Sequence, residues 1–445
     1  GVMAKGDVRV TNSGTLKGLG NYGQAVTSID GDVFVTNSLD GTIIGDWAAL
    51  YTRNGGNIEV DNAGLISSGV AVINSTGTAS VVNSGTLTVG AYGSYDARAV
   101  IAKGDVSVTN SGEITALGNY AQAISSLEGD VTVINNRDGS ITGSWAAIRA
   151  STGVADITNY GEIHSDVRAI YLSGADTSAS IRNEGLIDAP VGIDVSGSAD
   201  IINLGEITGT AGYVSIRNNG TVGRLVNGQG GSGALPLTYS GALPSTYTIY
   251  VTSADHYGQV AFSSPAGTMD IAVDVADGAI PATYYASVIT GVADDQIGNT
   301  TGMADGWNWE LTKNGSYWDL GFIGPNVSDT YDDLERNSES IQGFMALQSA
   351  SMSLMLGYDC RAGGQSKWCA SLSGRQAGVT SGGNQSAGVL VVSYQPDSRV
   401  RLGAFLDQQV RHSEADGLEL KSSLPYLGGF VRYDESGDGQ GLQGK

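Results

Sequence analysis

Side chains able to do chemistry are few and scattered. Three histidines, His164, His256 and His412, fall in separate segments. Two acid pairs, Asp30-Gly31-Asp32 and Glu128-Gly129-Asp130, each stand just before an alternating segment, Val33-Phe34-Val35 and Val131-Thr132-Val133. Paired carboxylates can do general acid–base work on a glycosidic bond or supply hard oxygen ligands to calcium. Here the pair occurs twice in the same context, which suits a solvated turn better than one active site. The calcium pattern G-G-x-G-x-D is not met, because Gly230-Gly231-Ser232-Gly233-Ala234-Leu235 lacks the aspartate. No P-loop, no H-E-x-x-H and no G-x-S-x-G elbow in a strand-turn-helix context occurs. We therefore expect no catalytic residue, no metal and no cofactor. Trp47 and Trp145 read either as sugar-stacking platforms or as packed corners. Cys360 and Cys369, with eight residues between them, are candidates for a local disulfide in an oxidising compartment; two thiols alone make no zinc site.

Composition narrows the class. The 445 residues include 66 glycines but 8 prolines, and 15% are charged, which is not the profile of a disordered chain. The formal charge of −22 repels nucleic acid, so no nucleic-acid partner is expected. No run of about 18 apolar residues offers a transmembrane helix. The opening Gly1-Val2-Met3-Ala4-Lys5-Gly6-Asp7 has no apolar core of a signal peptide and already lies inside a repeat, so it reads as an internal cut.

The elements that must position any site come from that repeat. Alternating apolar residues lead to Asn, then a short turn with Gly, then Ile, Leu or Val, first as Val8-Arg9-Val10-Thr11-Asn12-Ser13-Gly14-Thr15-Leu16. The motif recurs with Asn37, Asn62, Asn83, Asn110, Asn135, Asn159, Asn183, Asn203 and Asn218; its last glycines are Gly205 and Gly220. Above it lies a longer duplication: Val2–Leu50 reappears 98 residues later as Val100–Ile148, with Asn21-Tyr22-Gly23-Gln24-Ala25 matching Asn119-Tyr120-Ala121-Gln122-Ala123 and Trp47-Ala48-Ala49-Leu50 matching Trp145-Ala146-Ala147-Ile148. A period near 24 residues with two-residue alternation predicts coils of a parallel β-helix rather than helical or leucine-rich repeats. Alternate Val and Ile should stack inward from coil to coil. The Asn column should hydrogen-bond along the stack, as a structural ladder or a ligand-binding face, with Gly supplying positive φ at the turn. Ten coils at strand spacing give a rod about 50 Å long.

The pattern changes near Gly228-Gln229-Gly230-Gly231. Longer aromatic strands follow, Tyr247–Val251 and Tyr284–Ile289, as a cap that an open β-helix end requires. The segment ends in Trp307-Asn308-Trp309-Glu310-Leu311-Thr312-Lys313-Asn314-Gly315-Ser316-Tyr317-Trp318-Asp319-Leu320, read as a hairpin around an Asn-Gly turn. Ser328–Leu356 reads as one helix, with Ser328 as cap and Asp329, Asp332, Asp333 and Glu335 in its first turns. Beyond it, Ser386–Tyr394, Arg399–Leu406 and Leu424–Tyr433 alternate as membrane-barrel strands do: Val400, Leu402, Ala404 and Leu406 toward lipid, Arg399, Arg401 and Gly403 toward a lumen. Turns are expected at Gln395–Ser398 and Asp434–Gly439.

This order of parts resembles the autotransporter (type V secretion) family, in which a β-helical passenger ends in an autochaperone hairpin, followed by a pore helix and a barrel. The resemblance assigns structural roles to Trp309, Leu311, Gly315, Trp318 and Leu320. It implies an all-β chain: a right-handed parallel β-helix of about ten coils (1–228), a C-terminal autochaperone-like cap (229–325), a pore-type linker helix (326–357) and the first strands of a truncated outer-membrane β-barrel (358–445). The family's barrel has twelve strands and ends in an aromatic, whereas Trp368–Lys445 has room for four or five, so the barrel reads as truncated. Family cleavage within the pore helix falls near paired Asn residues; here Asn326 and Asn337 stand apart. The implied function is a non-enzymatic, surface-exposed adhesin, self-association surface or stalk at the bacterial outer membrane. Its implied partners are the outer membrane and the barrel-assembly machinery, with host matrix, glycan or a second copy as ligands. The rival readings are a glycan-acting β-helix lyase or hydrolase, and a stem for an enzymatic domain upstream.

Overall fold

Two-residue alternation in segments of four to six residues gives strands too short to bury a core alone, so the coils must stack. The computed structural model describes residues 1–90, 96–210, 212–279, 281–323, 327–379, 383–413, 424–435 and 443–444. It divides into two units, Gly1–Gly324 and Pro325–Lys445.

The first unit is a parallel β-helix of about eleven turns. A typical coil has three strands, Ala71–Ser75, Ala79–Asn83 and Thr86–Val89, which belong to a first, second and third sheet respectively. Each strand lies parallel to the same strand of the next coil, so like sits on like: Ile73 on Val100, Val81 on Val108, Leu87 on Ile114. All six are buried. Burial of such side chains stabilises by roughly 1.5–3 kcal/mol each before conformational entropy is set against it. From Gln24–Ser28 to Val191–Val195 the first-sheet pairing skips the second residue of each strand. The second and third residues (Val72 and Ile73) are then both buried.

The duplicated halves fall four coils apart, with Val2 stacked through Val26, Leu50 and Ile73 onto Val100. Tyr22 and Tyr120, equivalent in the two copies, share a left-handed conformation, φ 63° and 60°.

The parallel stack does not stop at Gly228. The third sheet ends at Glu206–Ile207, while the first and second run on to Tyr284–Thr290 and Asp270–Val275. The altered sequence pattern thus marks a coil losing one of its three sheets. An antiparallel hairpin, Trp307–Asn314 and Tyr317–Ile323, then lies along Tyr284–Thr290 and closes that end.

In the second unit one helix, Val327–Met355, precedes an antiparallel sheet of Trp368–Val379, Gly383–Tyr394, Val400–Ser413 and Tyr426–Asp434, with a two-residue strand, Gln443–Gly444, at its edge. The helix matches the sequence expectation to one residue at each end. Asn326, and the side chains of Ser328, Asp329, Asp332 and Asp333 expected at its start, lie outside the described residues, as does the turn Ser436–Gly439.

Candidate functional site

The asparagines form an unbroken ladder. Each Nδ2 donates to Oδ1 of the next coil's Asn, from Asn12 through Asn37, Asn62, Asn83, Asn110, Asn135, Asn159, Asn183 and Asn203 to Asn227, at 2.8–3.1 Å. From Asn37 onward these side chains are at most 1% exposed, so the ladder faces the interior and offers no surface to a ligand. From Asn12 to Asn183 each amide also donates to the carbonyl of its own turn glycine, as Asn110 does to Gly112 at 2.9 Å. The tenth member is Asn227, which corrects the assignment of Asn218. Asn218 instead ends a strand of the first sheet, opposite Val195, and Gly220 belongs to a different turn, against Gly197. The spacing carried the signal: Asn203 to Asn227 is one ordinary period, Asn203 to Asn218 is not.

The turn glycines hold no positive φ, which corrects their expected role. A Cβ on Gly64, Gly85, Gly112, Gly161, Gly185 or Gly205 would meet the carbonyl oxygen of the glycine one coil earlier at 2.1–2.2 Å. Glycine is required because adjacent turns touch.

The acid pairs are partly structural. Asp7 Oδ1 accepts from the Asp32 N–H at 3.0 Å, and Asp32 Oδ1 from the Asn57 N–H at 2.8 Å. Their duplicates repeat this, Asp105 with Asp130 at 2.9 Å and Asp130 with Val154 at 2.7 Å. One acid of each pair therefore pins its turn to the neighbouring coil, while Asp30 and Glu128 stay at the surface. Among the described residues no group of three or more His, Cys, Asp or Glu is placed to hold a metal. His164 pairs with Asp188 (Nδ1 to Oδ2, 2.8 Å) on the third sheet, and His256 lies apart beside Ser253.

Trp47 and Trp145 sit at the entry to the first sheet, half-buried. Trp47 packs edge-on against Tyr51 at 5.1 Å with Tyr22 at 6.5 Å. Trp145 packs against Tyr171 at 5.5 Å and Tyr120 at 6.1 Å. The arginines differ between the copies. Arg149 and Arg168 approach the Trp145 ring at 5.7 and 5.4 Å. Arg168 Nε donates to Asp194 at 2.8 Å, and Arg217 reaches the same carboxylate at 3.4 Å. Sequence reasoning missed this group, whose members come from successive coils.

Of the hairpin residues, Trp309, Leu311, Trp318 and Leu320 are buried in the main core. The loop is Gly315-Ser316 with Asn314 paired to Tyr317, so Gly315 (φ 65°) is the first loop residue, not the second. Asp319 accepts from the Ser287 N–H at 2.7 Å, Tyr284 Oη at 2.6 Å and Asn314 Nδ2 at 3.0 Å. Burial alone would raise its carboxyl pKa; these three donors outweigh it and hold it below the ordinary value.

In the second unit the face of the sheet toward the helix buries charged side chains beside an apolar cluster of Val389, Val391 and Phe430, and the opposite face exposes large apolar ones. The face toward the helix carries Arg375, Gln385, Arg401, Asp407 and Asp434, all buried. Arg375 binds Asp407 through Nε (2.8 Å) and Nη2 (3.1 Å), and its Nη1 donates to Ser351 of the helix at 2.7 Å. Arg401 pairs with Asp359 and Asp434, each at 3.0 Å. Asp434, where the turn was expected to begin, is thus the last residue of its strand and a buried ion-pair partner. The other face presents Leu372 (82% exposed), Leu427 (74%), Leu402 and Val431. Arg399 precedes its strand and is exposed. Cys360 and Cys369 are joined as a disulfide between helix and first strand.

The class that this fold defines is a parallel β-helix followed by a separate helix-and-sheet unit. Comparison with protein-family models, curated proteins and solved structures returns no match for the chain.

Proposed function

We propose that this is an autotransporter chain. On this reading the β-helix is a non-enzymatic passenger displayed at a bacterial surface as an adhesin, self-association surface or stalk. The sheet Trp368–Asp434 belongs to the outer-membrane barrel through which the passenger is mounted, and the helix Val327–Met355 occupies the barrel's lumen.

The observation that carries the reading is the distribution of side chains over this sheet, charged ones buried on one face and large apolar ones exposed on the other. In water, burying Arg375 with Asp407 loses several kcal/mol of ion hydration, while exposing Leu372, Leu402 and Leu427 forgoes burial worth roughly 1.5–3 kcal/mol each. Against hydrocarbon both terms change sign: the leucines are solvated by lipid and the charges face a polar interior. The passenger reading is supported by a rod grown by copying, which supplies length and repeated surface for multivalent contact.

The test is contact with lipid. With the chain assembled in outer-membrane lipid, a photo-crosslinking residue in place of Leu402 or Leu427 is expected to capture lipid, and one in place of Gln385 is not. Equal labelling of all three, or none, removes the barrel reading.

A further inference from the structure

Charge is segregated on the first unit. In a chain of net charge −22, the parallel strands of the first sheet carry four arginines, Arg98, Arg149, Arg168 and Arg217, against one strand carboxylate, Asp194; Arg98 also pairs with Asp96, just before its strand, at 2.6 Å. Asp194 is already shared by Arg168 and Arg217. Arg149 has no carboxylate partner among the described residues; its Nε donates to Ser173 Oγ at 3.3 Å.

Beside Arg149 stands Trp145, half-buried, with Tyr120 and Tyr171 at its edges. Tyr120 is 58% exposed and holds φ 60°. That conformation costs a bulky residue on the order of 1–3 kcal/mol, which glycine would not incur. Tyr22, its counterpart in the first copy, carries the same strain with the ring even more open.

In the strand paired with that of Arg149, two polar atoms have no hydrogen-bond partner among the described residues, Ser125 Oγ and Gln122 Oε1. Their residues are 1% and 2% exposed, and Ser125 lies directly opposite Arg149 in the strand pairing. Both atoms are enclosed, so the groups that can meet a ligand on this strip are the exposed Tyr120 ring and the Arg149 guanidinium, which has no carboxylate partner among the described residues. The two copies diverge at this point: Tyr51 of the first is Arg149 in the second.

We propose that the strip formed by Tyr120, Trp145, Arg149, Arg168 and Tyr171 binds an acidic glycan. A sugar ring stacks on the exposed Tyr120 ring beside Trp145, and its carboxylate or sulfate is held by Arg149. Aromatic edges and a guanidinium on a shallow strip match a pyranose ring bearing one anionic group, and the cationic face complements it on an otherwise acidic rod. This rests on the adhesin reading and gives it a ligand class.

The test is calorimetric titration of the full chain with polygalacturonate and dextran sulfate, with neutral dextran and polyglutamate as controls. An acidic polysaccharide is expected to bind, more weakly as salt rises. Arg149→Tyr, which restores the residue of the first copy, is expected to weaken binding at least about tenfold, whereas Arg9→Gln on the second sheet leaves it unchanged. No binding of either acidic polysaccharide, equal binding of dextran, preference for polyglutamate, or an unaffected Arg149→Tyr each overturns the proposal. Protease shaving of cells carrying the full-length protein separates the two readings. An inaccessible rod sinks the adhesin reading; an accessible rod that binds no acidic glycan sinks only this proposal.

Discussion

Gln229 fills the place of a missing strand beside Ile207. Its Oε1 accepts from the Ile207 N–H at 2.8 Å and its Nε2 donates toward the Ile207 carbonyl at 3.3 Å. The third sheet ends at Ile207, and one side-chain amide completes the hydrogen bonding that the next coil no longer supplies. The same Oε1 accepts from Asn203 at 3.0 Å, so one side chain joins the sheet edge to the Asn ladder. Gln229→Ala orphans buried groups on both, at about 1–3 kcal/mol each. We expect a clear fall in the urea midpoint. Gln229→Glu should be no better than Ala, because a carboxylate cannot donate to the Ile207 carbonyl. A Glu variant as stable as wild type would refute this assignment.

Asn110 sits mid-ladder, fully buried, between Asn83 and Asn135. Asn110→Ala removes the acceptor of one amide and the donor to another, together on the order of 2–4 kcal/mol. Asn110→Asp keeps the shape and the acceptor but buries an unpaired charge that cannot donate to Asn135, and is expected to cost more than Ala at neutral pH. Denaturant unfolding of both variants at pH 7 orders them; Asp above Ala in stability would argue that the column is open to water.

Much of this was legible in the sequence because a stacked coil repeats its own environment. Period, inward Val and Ile, and the Asn column all follow from residues that meet copies of themselves. What was illegible depended on contacts between unlike positions. The reason for glycine at Gly112 is the carbonyl of Gly85 in the coil before it, which no single repeat contains. Arg168, Arg217 and Asp194 converge only once each strand's register is known, and coil lengths vary with their loops. Anchoring registers on Asn would have aligned them, had the fifteen-residue step to Asn218 been rejected in favour of Asn227.

The glycine argument separates two turns that look alike in sequence. A methyl group added at Gly14, in the first coil, would have nothing within 4 Å, whereas one added at Gly112 would meet the Gly85 oxygen at 2.1 Å. Neither glycine has a positive φ. Gly14→Ala should therefore change stability by less than about 0.5 kcal/mol, and Gly112→Ala should cost about 1–3 kcal/mol by overpacking. If conformational freedom were the reason for glycine, both would suffer alike; equilibrium unfolding of the two variants decides between the explanations.

Asp319 makes the closing hairpin sensitive to acid. Its donors come from the strand the hairpin covers, Tyr284 and Ser287, and from its own turn, Asn314. Because its folded pKa lies below the ordinary carboxylate value, the ionised form stabilises the docked hairpin above the unfolded pKa of about 3.9. That contribution is lost as pH falls through the lower folded pKa. Docking should hold at pH 5 and weaken between about pH 4 and pH 2, reported by the fluorescence of Trp309 and Trp318, both buried in the docked state. Asp319→Asn cannot ionise and also turns one acceptor into a donor facing the Ser287 N–H or the Tyr284 hydroxyl. It should be less stable than wild type at pH 7 and lose most of the difference at pH 2. A constant gap between the two proteins across that range would mean that the carboxylate charge plays no part in holding the hairpin.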